Sequence, residues 1–270
     1  MSSHQPVKPL SLDPPAPADG VPVSKRLIAI EIAIVLGISF GRSGIYSILS
    51  LIEKLTRPVP LAQQTTSMNT SATPDRPWLD LGYQIYYFIL PMAEVALALY
   101  LLHLAYGQAR RLIGFDVKRP WADLGKGLVT CAAVGLVGIG FYFLARAIGI
   151  NTNVAPANLT GQWWTIPVLI GSAAVSGISE ETIMLGYLFT RLRTLKWNPL
   201  WIVVFSAAIR GSYHLYQGWG GFLGNLGMGL VFGLLYLRWK RVMPLVVAHT
   251  LMDCFVFVGY SLLAPYIPWL

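Results

Sequence analysis

Long apolar stretches separated by short polar or basic loops dominate the chain. A helix rises about 1.5 Å per residue, so about 20 apolar residues cross the roughly 30 Å hydrocarbon core of a bilayer. The pattern therefore predicts an all-α polytopic membrane protein with about seven transmembrane helices. The predicted spans are residues 27–52, 79–105, 125–149, 164–190, 199–217, 219–237 and 243–265.

Composition agrees with this pattern and excludes an ordinary soluble domain. The chain is 55% hydrophobic and only 12% charged, whereas soluble domains carry about 25% charged residues. Residues 1–24 are rich in proline and poor in large apolar side chains, which predicts a disordered cytoplasmic tail. Residues 25–270 are predicted to form a single transmembrane helical domain, with its functional core at residues 164–265.

The formal net charge is +8, but the basic residues lie in short clusters between spans. This distribution indicates membrane topology and no nucleic-acid partner. Basic clusters fall in alternate loops, and by the positive-inside rule they place the N-terminus in the cytoplasm and the C-terminus outside. The glycine-dense segment 218–233 predicts close helix–helix packing.

Ionisable residues inside predicted spans are functional candidates, because an unpaired charge in hydrocarbon is costly. Glu31 and Arg42 lie about 16 Å apart along one helix, so structural partners on other helices are expected for each. Glu94 follows Pro91 and is expected to face the bundle interior near a kink. The full set is Glu31, Arg42, Glu94, His103, Glu180, Glu181, Arg210, His214, His249 and Asp253.

Carboxylates and imidazoles recur on the later spans, a combination suited to water activation or metal binding. Asp253 follows His249 by one helical turn, close enough to orient that imidazole. Adjacent helical residues diverge by about 100°, which predicts that Glu180 and Glu181 cannot both face one centre. One is then expected to be catalytic and the other to need a cation. A charge-neutralised packing network and the proton relay of a transporter are the alternatives.

At these residues the sequence resembles the CPBP family, the bacterial relatives of the type II CAAX prenyl endopeptidase, which are intramembrane proteases. The family pattern is EExxxR on one helix, FxxxH on the next and Hxxx(N/D) on a third, with one helix between. Glu180-Glu181, His214 and the segment His249 to Asp253 match in order within residues 164–255.

Two positions depart from the family pattern, and the departures are related. Leu185 stands where the arginine belongs, and Arg210 stands where the phenylalanine belongs. Leu185 removes the intrahelical partner of Glu181, and Arg210 returns a guanidinium from the neighbouring helix. We therefore predict an interhelical ion pair between Glu181 and Arg210, since a lone buried carboxylate is unfavourable.

The candidate catalytic residues are Glu180, Glu181, His214, His249 and Asp253, with Arg210 in support, and the resemblance implies how they could take part in peptide hydrolysis. Glu180 with His214 would position and deprotonate water, and His249 would stabilise the oxyanion. Ionised Asp253 can only accept hydrogen bonds, so it is assigned to orienting His249. In the alternative division, Zn²⁺ is bound by Glu181 or Glu180 together with His214 and His249. The cofactor is left open between these two schemes.

The function predicted is that of an intramembrane endopeptidase acting on membrane-associated protein or peptide substrates, within the lipid bilayer of a bacterial cell. Because two motif positions are altered, a non-catalytic membrane protein of the same fold is the first alternative, for example in bacteriocin self-immunity or as a scaffold. A proton-coupled transporter is the second. The oligomeric state and the cleavage motif are left open.

Overall fold

The computed structural model describes residues 24–159 and 161–266, so the predicted N-terminal tail lies outside the described residues except for Ser24. The predicted all-α membrane fold is confirmed. The helices are α1 Lys25–Leu55, α2 Pro77–Tyr106, α3 Ala109–Leu112, α4 Pro120–Ala147, α5 Thr165–Thr194, α6 Pro199–Ser212, α7 Trp219–Trp239 and α8 Met243–Leu263. Two of them contain a π-helical segment, Gly37–Gly41 in α1 and Thr182–Tyr187 in α5.

The number of spanning helices differs from the prediction. Within residues 24–159 and 161–266, six helices are long and apolar enough to cross a membrane, and α6 is a shorter apolar helix of 14 residues. A helix of that length extends about 21 Å, less than the hydrocarbon thickness. The predicted span 199–217 therefore ends early, and a 3₁₀ turn, Leu215–Gln217, follows it.

The turn after α6 depends on a glycine. Gly218 has φ +110°, and a Cβ there would lie 2.6 Å from the carbonyl oxygen of Ile150. An L-residue rarely adopts this backbone conformation, so the chain can reverse here only with glycine. The predicted spans 199–217 and 219–237 place the reversal at this glycine, but they do not show that the helix before it already ends at Ser212.

Close packing among the last four helices, α5 to α8, positions the polar side chains. Helix α6 packs against α7, and α8 packs against both α5 and α4. A Cβ on Gly177 of α5 would lie 2.5 Å from Thr250 Oγ1 of α8, and one on Gly229 of α7 would lie 2.9 Å from Ala207 Cα of α6. The predicted tight packing of the glycine-dense segment is thus confirmed.

Two loop strands cover the turn that follows α6. Strand β1, Thr65–Ser67, pairs in parallel with β2, Asn153–Ala155. Thr66 and Thr152 are joined by a hydrogen bond of 2.7 Å between their hydroxyls. Thr152 N donates to Gln217 O at 2.9 Å, and the Lys54 ammonium donates to the Tyr216 carbonyl. These contacts fix the turn from the loop side.

Candidate active site

Glu180 and Glu181 are the last residues of the regular α-helical part of α5, directly before the π-helical segment Thr182–Tyr187. Short π-helical segments widen a helix locally and occur often at functional sites. The expectation that these two glutamates cannot share one centre is wrong, because both contact Arg210. The forked guanidinium presents two nitrogens in different directions, so one arginine serves two diverging carboxylates.

The predicted interhelical pair between Arg210 and Glu181 is confirmed. Arg210 Nη2 donates to Glu181 Oε1 at 2.8 Å and to Oε2 at 2.9 Å. Arg210 is only 1% exposed and Glu181 is fully buried. Breaking a pair this deeply buried leaves an uncompensated charge, which typically costs about 3–5 kcal/mol.

The space for Arg210 comes from its neighbours on α7. The guanidinium lies over the ring of Phe232, 5.7 Å from the centroid. A Cβ on Gly229 would approach Arg210 Cδ to 3.3 Å. Leu185, at the position where the family pattern has arginine, is 1% exposed and belongs to the main apolar cluster. Relative to the family pattern, the guanidinium therefore comes from a different helix, and the position of the family arginine is hydrophobic.

His249 of α8 contacts the same carboxylate. Its Nδ1 lies 2.7 Å from Glu181 Oε1, and since a carboxylate only accepts, Nδ1 is the donor. Asp253 Oδ2 lies 3.6 Å from His249 Nε2, beyond hydrogen-bonding distance. The close approach of α8 to α5 at Gly177 brings His249 to Glu181, so Glu181 orients this ring more directly than Asp253 does.

Glu180 has its two oxygens in different surroundings. Oε2 accepts from Tyr213 Oη at 2.6 Å and from Arg210 Nη1 at 3.2 Å. Among the residues that the structure describes, none donates a hydrogen bond to Oε1. Sequence reasoning did not find Tyr213, because nothing in its neighbourhood except the adjacent His214 distinguishes it.

His214 lies immediately after α6, at the start of the turn. It directly follows Tyr213, which donates to Glu180 at 2.6 Å, and the Tyr213 and His214 rings lie 4.9 Å apart. Glu180, Arg210 and His249 lie close enough for their charges to act on the His214 imidazole. Its Nδ1 is buried, and no described residue hydrogen-bonds to it.

The predicted metal ligands are only partly brought together. In the described part of the chain, ligand atoms of Glu180, Glu181 and His249 lie within 4.8 Å of one another. His214 does not belong to this group. Both oxygens of Glu181 and the Nδ1 of His249 are already engaged. Glu180 Oε1 and His249 Nε2 remain, whereas a zinc site uses three or four protein ligands. Arg210 contacts both glutamates, so its positive charge would oppose a cation bound between them.

Other ionisable residues of the spans lie apart from this site. Glu31 pairs with Arg191 and accepts from Tyr187, as expected for structural partners on another helix. Glu94 is buried on α2 and interacts electrostatically with Arg42. His103 lies in the last turn of α2.

Comparison with known proteins supports the predicted resemblance. Residues 162–255 match the model of the family described as type II CAAX prenyl endopeptidase Rce1-like. This segment is therefore similar to that protease family. The match covers about a third of the chain and includes every residue of the candidate site. No curated protein and no solved structure matched the chain.

The match begins just before α5 and ends two residues after Asp253. The Rce1-like segment thus contains α5 to α7 and more than half of α8, while α1 to α4 lie outside it. Glu31 and Glu94 fall in the unmatched part. The six apolar helices indicate an integral membrane protein, and the matched segment indicates a protease-like fold.

Proposed function

We propose that this protein is an intramembrane endopeptidase that hydrolyses membrane-associated protein or peptide substrates, with Glu180 as the base that activates water. The observation that supports this most directly is the asymmetry of the Glu180 carboxylate. Two donors hold Oε2, and none of the described residues engages Oε1. A general base needs an oxygen within hydrogen-bonding reach of water, and Oε1 meets that requirement.

The reaction follows from these positions. Glu180 Oε1 takes a proton from water while the water oxygen forms a bond to the peptide carbonyl carbon, and the carbonyl electron pair moves to its oxygen. When the tetrahedral intermediate collapses, the C–N bond breaks and the leaving nitrogen takes the proton from Glu180, which restores the carboxylate. His214 and His249 are the candidate groups for orienting water and stabilising the oxyanion.

Arg210 supports a metal-free form of this reaction. A guanidinium that contacts both glutamates supplies the positive charge that would otherwise come from a divalent cation. We therefore expect hydrolysis to survive exhaustive chelation. Loss of activity on chelation and its return with Zn²⁺ would require the alternative scheme, with Arg210 displaced from the carboxylates.

The proposal is tested with purified full-length protein in liposomes and a digest of bacterial membrane proteins as the substrate mixture. New peptide N-termini are identified by mass spectrometry. We expect them with the wild type and with His103→Ala, a matched histidine variant outside the site, and not with Glu180→Gln or His214→Ala.

Two outcomes would contradict the proposal. Identical products from all variants would mean that a contaminating peptidase is responsible. No products from well-folded wild type, across substrate mixtures from different membranes, would favour a non-catalytic protein of the same fold.

Topology forms a separate part of the proposal. The basic loops beside α3 and between α7 and α8 support a cytoplasmic N-terminus and an external C-terminus. Six crossings would leave both termini on one side, so this topology requires the short helix α6 and the turn after it to make the seventh crossing. Protease digestion of sealed, right-side-out vesicles should remove a C-terminal tag and leave an N-terminal tag intact. The opposite pattern would invert the topology without affecting the chemistry of the site.

A further inference from the structure

Tyr213 makes the shortest hydrogen bond to Glu180, yet no sequence pattern assigns it a role. Its hydroxyl lies 2.6 Å from Glu180 Oε2, and its side chain is almost fully buried. The carboxylate only accepts, so the single hydroxyl proton of Tyr213 points to Oε2. A charge-assisted hydrogen bond of this length is among the stronger ones in proteins.

Tyr213 is itself fixed by α1, a helix outside the Rce1-like segment. The ring of Phe40 stacks on the Tyr213 ring, with centroids 4.7 Å apart and planes inclined by 25°. Ser47 Oγ donates to the Tyr213 carbonyl oxygen at 2.8 Å. One residue of α1 therefore holds the ring and another holds the backbone, so the hydroxyl direction is set by packing.

From this geometry we infer that Tyr213 is a positioning residue for the proposed reaction. Together with Arg210 it occupies Oε2 of Glu180 and fixes the carboxylate plane, so that Oε1 is the oxygen that faces water. The inference rests on the proposed function, since it assigns Tyr213 a role in the same hydrolysis. Tyr213 acts through Glu180 and need not touch the substrate.

The chain contains a matched control in Tyr187. Its hydroxyl donates to Glu31 Oε1 at 2.7 Å, and Glu31 is also paired with an arginine. Tyr187→Phe thus removes a buried tyrosine–carboxylate hydrogen bond of nearly the same length that involves Glu31 and none of the candidate site residues. Any loss shared by Tyr187→Phe and Tyr213→Phe is structural.

The kinetic test compares these two variants on the fastest-cleaved peptide found with wild-type protein. We expect Tyr213→Phe to lower kcat by about 10- to 100-fold with KM nearly unchanged, as is usual for partners that orient a reacting group. Tyr187→Phe should keep kcat within about threefold of wild type. Equal kcat values for the two variants, or a change confined to KM, would overturn the positioning role.

A second measurement does not depend on activity. In protein labelled with [ζ-¹³C]tyrosine, the NMR signal absent from Tyr213→Phe belongs to Tyr213. We expect Glu180→Gln to move that signal and Glu31→Gln to leave it in place. An unmoved signal in Glu180→Gln would overturn the inferred contact even if hydrolysis is observed. Absence of hydrolysis together with a moved signal would reject the proposed function, and with it the positioning role of Tyr213, while the contact itself would stand.

Discussion

Glu31 and Glu180 are held by the same kinds of side chain in two parts of the helix bundle. At Glu31, Arg191 Nε donates to Oε1 at 2.7 Å, Arg191 Nη2 donates to Oε2 at 2.6 Å, and Tyr187 also donates to Oε1. Both oxygens are therefore occupied. This cluster of Glu31, Arg191 and Tyr187 ties α1 to α5 and is suited to stability.

At Glu180, the same kinds of donor are distributed differently. Tyr213 and Arg210 both approach Oε2, and the second nitrogen of Arg210 goes to Glu181 instead of to Oε1. Because the guanidinium is shared between two carboxylates, one oxygen of Glu180 is left for another partner. The comparison indicates that the number of occupied oxygens, more than the identity of the donors, separates a structural glutamate from a candidate base.

The largest expected effect comes from removing the two carboxylates in turn. We expect Glu180→Gln to lower kcat by about 10³-fold while the thermal unfolding midpoint changes little, because a general base contributes about 10²- to 10⁴-fold. Glu31→Gln should lower the unfolding midpoint and keep kcat within about threefold. Both variants are compared in matched activity and unfolding assays in detergent. Equal losses of kcat would mean that Glu180 and Glu31 do not differ in function.

The next effect concerns the relocated arginine. Arg210→Phe is expected to lower the free energy of unfolding by about 3–5 kcal/mol, since it leaves Glu181 buried without its cation. Adding Leu185→Arg returns a guanidinium to the family position, and we expect this double variant to recover activity that Arg210→Phe loses. If the double variant recovers neither activity nor the free energy of unfolding, Arg210 does not replace the arginine of the family pattern.

A smaller effect tests how α5 reaches α8. Gly177→Ala places a Cβ 2.5 Å from Thr250 Oγ1, and overpacking of this kind costs about 1–3 kcal/mol. The variant should also separate Glu181 from His249 and reduce activity. Gly82→Ala is the control, because a Cβ there meets nothing within 4 Å. If both variants behave like wild type, the close approach is not what sets the Glu181–His249 contact.

The smallest effect concerns a carboxylate–arginine contact in the loops. The hydrogen bond from Arg241 holds the pKa of Asp116 below its ordinary value of 3.8. A lowered pKa contributes stability that is present above the ordinary value and disappears as the pH falls through the folded-state value. Asp116→Asn should therefore unfold at a lower temperature than wild type at pH 7, and the difference should shrink at pH 3. A constant difference would assign the effect to packing.

Much of this arrangement could be predicted from sequence, because some of it depends only on residue types and order. Hydropathy predicted the long spans, and the exchange of Leu185 and Arg210 against the family pattern predicted a specific ion pair. The reversal at residue 218 was predicted, but the end of α6 at Ser212 was not, because the mixed residues 213–217 could also have continued the helix.

Contacts within the site were harder to predict, because they depend on how helices approach one another. The i,i+4 spacing suggested Asp253 as the partner of His249, but the close approach at Gly177 places Glu181 nearer. Tyr213 could not be found at all, since its contact with Glu180 requires the turn after α6 and the packing of α1. Spacing rules within one helix do not carry such information.

We propose that Glu180 presents one unoccupied oxygen to water and that the site works without a metal ion. An experimental structure in a lipid bilayer, at a resolution that shows ordered water, tests it most directly. We predict a water within about 3 Å of Glu180 Oε1, with Arg210 and Tyr213 on Oε2. A peak with an anomalous zinc signal about 2.0–2.2 Å from Glu180, Glu181 and His249, with Arg210 turned away, would instead make Glu180 a zinc ligand.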